Sequence, residues 1–185
     1  VYVAEGVAKL MGEELRSTVE RLCGHGPCEL AYEDIISCGG FTSRVVWPRQ
    51  PVEGSDGNAD SVVLSVLYDV GGRSLSALLT GDAEKEQTGE ILAAGDAGDI
   101  DLLKVGHHGS AVSVSPEQAK ALSPEVSVAS AGKNNRYGHP RAECVDALES
   151  AGSRFLCTID AGDVIVYPGA SGPRVSTQRG ALIVE

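Results

Sequence analysis

DLLKVGHHGS, residues Asp101–Ser110, sets an apolar run directly before two adjacent imidazoles and a small polar turn. Read as a strand ending at Val105, the run delivers His107 and His108 to the C-terminal edge of a sheet, where open α/β sheets place their sites. LLTGDAE, Leu78–Glu84, repeats the layout about twenty residues earlier, with Gly81 for the tight turn and Asp82 after it. A carboxylate and imidazoles converging on such turns suit a divalent ion, zinc or manganese. Taken singly, each motif also fits a plainer reading, Asp82 as a helix N-cap and the histidines as solvated turn residues. The pair is more specific than either half.

A third stretch, SAGKNNRYGHP (Ser130–Pro140), follows an apolar run over Glu125–Ala129 and has the same form. Three of the four histidines, His107, His108 and His139, thus fall in two such turns. Lys133, Arg136 and Arg141 form a local cationic group that can hold a phosphate, or can be an ordinary solvated loop. Ser110 joins the candidate catalytic residues by its place in the turn. It lacks the sharp strand-to-helix elbow of a nucleophilic serine and an assigned base, so orienting a ligand imidazole is the role it suits.

LLTGDAE, DLLKVGHHGS and SAGKNNRYGHP, with NADSVVLSVLY (Asn58–Tyr68) before them and TIDAGDVIVY (Thr158–Tyr167) after, resemble the metallo-β-lactamase-type domain at the C-terminal end of ComEC, the DNA-uptake channel protein of bacterial competence. The likeness runs from about Val45 to Tyr167. It implies an α/β fold, a four-layer αββα sandwich, with up to two metal ions at the sheet edge. Asp82 matches the aspartate that bridges the metals, and one of His107 and His108 matches the last metal ligand. His107 is favoured as the first to leave the strand, because adjacent strand residues point in opposite directions. His139 matches a residue near the site that contacts phosphate or substrate, with Asn135 and Arg136 beside it, and His139 or Lys133 would stabilise charge on the phosphoryl oxygens.

The activity so implied is phosphodiester hydrolysis by metal-activated water, on single-stranded DNA delivered by an upstream membrane channel segment. The longer protein would sit in the bacterial cell membrane with this domain on its outer side. The family's first ligand motif, a His-x-Asp-x-Asp-His run, is absent from these 185 residues. The chain therefore reads as the C-terminal part of the domain, with residues 1–44 as lead-in and 45–167 as the matching region, and is expected to be inactive alone without the missing N-terminal half. Trp47 stands where some relatives carry a histidine. Two other readings remain: a different hydrolase of the same fold, acting on phosphorylcholine or small esters, and a noncatalytic structural or interaction domain.

At 42% hydrophobic the chain can bury one core, and no linker-like shift in composition divides it. No apolar run approaches the length of a membrane span. With 26 acidic against 15 basic residues, the net charge of −11 argues against a general nucleic-acid binder. Bound ions and the cations of residues 133–141 would have to offset it locally. The five cysteines lack zinc-knuckle spacing. Most read as small buried hydrophobes, Cys144 and Cys157 above all; Cys23 and Cys28, around His25, are a candidate disulfide.

Apolar spacing from Val7 to Leu22 predicts an amphipathic helix ending near Gly24. Residues 25–60 read as irregular apart from a strand at Arg44–Trp47. Ser61–Tyr68 and Ser74–Leu79 predict a hairpin turning at Gly71-Gly72. Helices are expected over Ala83–Ala94, from Ser115 to about Leu122, and over Arg141–Ala151. Strands are expected at Asp101–Val105, Glu125–Ala129, Arg154–Thr158, Val164–Tyr167 and Leu182–Val184.

Overall fold

The computed structural model describes residues 1–54 and 57–180. The predicted hairpin is its centre: β5 (Val63–Val70) and β6 (Arg73–Leu79) pair antiparallel through Gly71 and Gly72, whose φ values of 62° and 76° suit a two-residue hairpin turn. β3 (Ile35–Cys38) and β4 (Phe41–Trp47) extend this half by further antiparallel pairing. On the other side β7 (Leu102–Lys104), β8 (Val126–Ala129) and β9 (Arg154–Cys157) add in parallel. The result is one seven-stranded mixed sheet in the order β3-β4-β5-β6-β7-β8-β9. The fold is mixed α/β, as the alternation of strand and helix patterns predicts.

Parallel neighbours need a crossover, and three helices supply it. α3 (Lys85–Ala93), α4 (Pro116–Leu122) and α5 (Ala142–Ser150) join β6 to β9 in turn. Their apolar faces, with Ile91, Leu122, Cys144 and Leu148 all 0% exposed, form one cluster with Val46, Val63, Leu78, Leu103 and Ala129 of the sheet. α4 opens with a capping box, in which Ser115 Oγ accepts from the Gln118 N–H at 3.2 Å and Gln118 Oε1 accepts from the Ser115 N–H at 2.9 Å. A β10–β11 hairpin (Val164–Pro168 and Pro173–Thr177) lies against β6 and buries Val175.

Several elements differ from the sequence reading. The opening helix is two, α1 (Val7–Leu10) and α2 (Glu13–Cys23), because Met11 and Gly12 are extended. Residues 25–60 hold more structure than expected: β1 (Tyr2–Ala4) pairs in parallel with β2 (Cys28–Leu30), and β3 is an edge strand. These short strands exist through distant partners, which no local periodicity reports. β11 and the short α6 (Thr158–Ala161) are not among the expected elements, and Thr158 opens that helix where a strand was expected to end. The strand expected at Leu182–Val184 lies outside the described residues.

All five cysteines are free. The candidate Cys23–Cys28 disulfide is not formed: Cys23 closes α2, whereas Cys28 enters β2, and its sulfur lies 4.0 Å from His25 Nδ1. Cys144 and Cys157 are buried as expected, but Cys38 is exposed on the edge strand.

One buried carboxylate just past α3 gathers side chains from residues 32–49. Asp96, 8% exposed, accepts from Arg44 at 2.7 Å, from Tyr32 at 2.8 Å and from Arg49. Burial pushes its carboxyl up, yet the hydrogen bonds from Arg44 and Tyr32 and the charges of Arg44 and Arg49 hold it below its ordinary value. A depressed carboxyl contributes stability that is present above the unfolded-state value of about 3.9 and is lost as pH falls through the folded one. Asp96→Asn is therefore expected to lower the urea midpoint at pH 7, with a wild-type advantage that shrinks below about pH 4. A difference that stays constant across that range would contradict this account.

Candidate functional site

Register brings the predicted turns together. Leu79 pairs with Lys104, and Lys104 with Val128, so the C-terminal ends of β6, β7 and β8 lie side by side. At Gly106 a Cβ would sit 2.2 Å from the Ala83 carbonyl oxygen, so only glycine lets the turn after β7 rest on the turn after β6. Thr80 Oγ1 donates to the Lys104 carbonyl at 2.6 Å, and the His107 N–H to the Gly81 carbonyl at 3.2 Å. Buried Ser113 Oγ lies 2.7 Å from the carbonyl oxygens of both Gly106 and Ser110. The third turn joins through the Arg141 N–H, which donates to the Gly109 carbonyl at 2.8 Å.

His107 and His108 are both left-handed, with φ of 43° and 54°. The strand-like alternation that favoured His107 therefore does not apply here. Each imidazole is tethered through Nδ1: that of His107 lies 2.9 Å from Glu84 Oε1, and that of His108 lies 2.7 Å from the Ser130 carbonyl oxygen. A carbonyl only accepts, so His108 Nδ1 carries the proton and its Nε2 keeps a lone pair in the neutral ring. That Nε2 is 3.5 Å from Asp82 Oδ1. Asp82 does not cap α3; Glu84 holds the N-cap position, leaving the Asp82 carboxylate to the site.

Asp82 and His108 are two donors at a spacing that one cation would bridge, and their chemistry fits zinc or manganese. Among the described residues no three His, Cys, Asp or Glu side chains gather as a ligand set. A catalytic zinc site takes three protein ligands, so the residues here match part of one.

His139 stands beside this pair, its ring edge-on to His107 at 5.6 Å and stacked on Tyr137 at 5.7 Å. Burial lowers its pKa, as do His107, His108 and Arg141, against an opposing pull from Asp82. The ring is neutral at pH 7. Asn135 engages its amide within the loop, donating to the His139 carbonyl and accepting from the His139 N–H, both at 2.8 Å. Arg136 bonds the Tyr137 hydroxyl, and Lys133 is exposed in the same loop. Ser110 is nearly buried, with Oγ 3.5 Å from the Val112 N–H. A cavity of about 480 Å³ opens beside His108, bounded by Ser130, Ala131, Tyr137, His139 and Thr158.

Sequence reasoning missed Glu84, although it lies two residues past Asp82 in the same motif. It also missed Asn58, whose Nδ2 donates to Glu84 Oε1 at 2.9 Å, and Lys104. Burial lowers the pKa of Lys104 against the pull of Asp82, and its ammonium donates to the Val105 carbonyl at 2.9 Å beneath the turns. The signal for Lys104 was a cation in an otherwise apolar strand.

No family model matches the chain. The curated proteins it is similar to include three named for competence or recombination. It is similar to ComE operon protein 3 of Bacillus subtilis, 36% identical over 136 residues, covering 74% of this chain and 17% of that protein. Recombination protein 2 of Haemophilus influenzae is 35% identical over 127 residues, 69% of this chain and 15% of its own length. Competence protein ComA of Neisseria gonorrhoeae is 35% identical over 126 residues, 67% of this chain and 18% of its own. The chain thus spans less than a fifth of the length of each. Their names agree with the competence resemblance carried by the motifs.

The contact at Gly106 yields a paired test. Gly106→Ala is expected to cost about 1–3 kcal/mol in thermal or urea unfolding, the range for overpacking a tight contact. Gly132→Ala, with open space around its Cβ position, is expected to leave stability nearly unchanged. Equal effects would show that the two turns do not meet as described.

Proposed function

We propose that this chain is part of a ComEC-type DNA-uptake protein and that the edge carrying Asp82, His107 and His108 serves metal-dependent hydrolysis of a phosphodiester in single-stranded DNA. The observation that carries this reading is the 3.5 Å approach of His108 Nε2 to Asp82 Oδ1, with both imidazoles tethered through Nδ1. A zinc or manganese ion held there would supply positive charge to polarise water and a phosphoryl oxygen. The further donors would come from other parts of a longer protein, whose relatives extend well beyond this chain.

The chain's own residues have distinct tasks. Asp82 and His108 would hold the ion, and the Ser130 carbonyl sets the His108 tautomer. Glu84, steadied by Asn58, orients His107 as carboxylates orient ligand histidines. Neutral His139 and the cations Lys133, Arg136 and Arg141 face the phosphate backbone and offset the acidic surface. Ser113 and Ser110 keep the turn in shape. No described helix is long and apolar enough to cross a membrane. Anchorage in the bacterial cell membrane, with this domain on the outer side, belongs to the longer protein. A noncatalytic interaction domain is the second reading, favoured by the two-donor set.

In the longer protein, Asp82→Ala and His108→Ala are each expected to lower bound zinc or manganese and the cleavage of single-stranded DNA. Glu84→Ala, which loosens His107 and neither residue that would hold the ion, should lower metal affinity less than those two variants, as should Ser110→Ala. Metal content by mass spectrometry that is equal in wild type, Asp82→Ala and His108→Ala would overturn the site. The 185-residue chain alone is expected to show no appreciable cleavage even with added manganese. Robust cleavage by it, abolished in Asp82→Ala, would show that its donors suffice.

A further inference from the structure

The cavity beside His108 has a composition that the hydrolytic reading does not use. Its polar groups are mostly engaged internally. Thr158 Oγ1 accepts from the Ala131 N–H at 3.0 Å and faces the Ala131 carbonyl at 3.1 Å, and Asn135 is committed to the loop backbone at Gly132 and His139. What remains for a ligand is apolar surface and the exposed ring of Tyr137. Tyr137 is 59% exposed, and its ring lies nearly parallel to that of His139, with an interplanar angle of 14°. This exposed ring, held in place by the His139 imidazole and by the Arg136 guanidinium 4.8 Å from its centroid, offers an aromatic surface.

The surrounding charge selects the occupant. Residues 133–141, Lys-Asn-Asn-Arg-Tyr-Gly-His-Pro-Arg, hold three cations and no acid, in a chain of net charge −11. A planar apolar group attached to a polyanion fits both features. At about 480 Å³ the cavity is large enough for a nucleobase with its sugar, and His108 forms its wall on the side of Asp82. A neutral aromatic ligand would leave the cations unused, and a bare phosphate would leave the apolar walls unused.

We infer that this cavity is a nucleobase subsite: a base of a single-stranded DNA segment stacks on Tyr137 while the flanking phosphate lies toward His108 and Asp82. The subsite rests on the reading that this edge handles single-stranded DNA. It does not depend on hydrolysis taking place there. With most of its hydrogen-bonding groups engaged elsewhere, it reads the flatness of a base more than its identity.

The test uses fluorescence anisotropy of this chain with a short labelled oligothymidylate and with an abasic oligomer of equal length and charge. Wild type is expected to bind the oligothymidylate more tightly. Tyr137→Ala should weaken that binding by about 5- to 140-fold, the loss of one stacked base, and weaken abasic binding far less. Tyr137→Phe, which keeps the ring, should bind like wild type. Equal affinity of wild type for the two oligomers, or a Tyr137→Ala loss of the same size on both, overturns the subsite. Metal content of Asp82→Ala and His108→Ala in the longer protein separates the two ideas. Base-dependent binding lost in Tyr137→Ala, with metal content unchanged in those variants, supports the subsite and sinks the hydrolase; metal loss without base dependence does the reverse.

Discussion

The arrangement depends on one backbone contact, Gly106 lying under the Ala83 carbonyl, where a Cβ would be 2.2 Å from the oxygen. Hydrogen bonds from Thr80 to the Lys104 carbonyl and from His107 to the Gly81 carbonyl clamp the two turns around it. With the turns in contact, Glu84 reaches His107 and Asp82 reaches His108. A larger residue at 106 would lift one turn from the other and separate all four side chains at once. The parallel register of β6, β7 and β8 makes the contact available, since it ends the three strands at one level.

Charge is distributed to match. The surface as a whole repels anions, yet the loop over residues 133–141 is cationic, and Lys104 sits beneath the acidic turn at Asp82. The edge therefore offers carboxylates and imidazoles to a cation at one point and arginines and lysine to an anion beside it. Such a division is what the proposed hydrolysis of a phosphodiester would draw on. His139 links the halves, its imidazole kept neutral by burial and by the neighbouring histidines and Arg141.

Much of this was legible in the residues. Val and Leu runs bounded by Gly71-Gly72, Gly81 and Gly106 marked the central strands, and Ser115-Pro116-Glu117 marked the start of α4. Asp82, His107, His108 and His139 stood out because each follows an apolar run. The short strands β1, β2 and β3 were not legible, since their pairing energy comes from partners far along the chain. Neither was the break of the first helix at Gly12, where the apolar period continues across a backbone that turns extended.

The sequence by itself determined the alternation of strand and helix, the turns that end β6, β7 and β8, and which polar residues those turns carry. These follow from local propensity and hydrophobic period, which act over a few residues. Tertiary structure alone decided the pairing: His108 with Asp82, His107 with Glu84, His139 on Tyr137. Left-handed backbone at both adjacent histidines sends their rings where strand geometry would not. The partners of each ring are also chosen by strand register, and register is set by packing across the sheet.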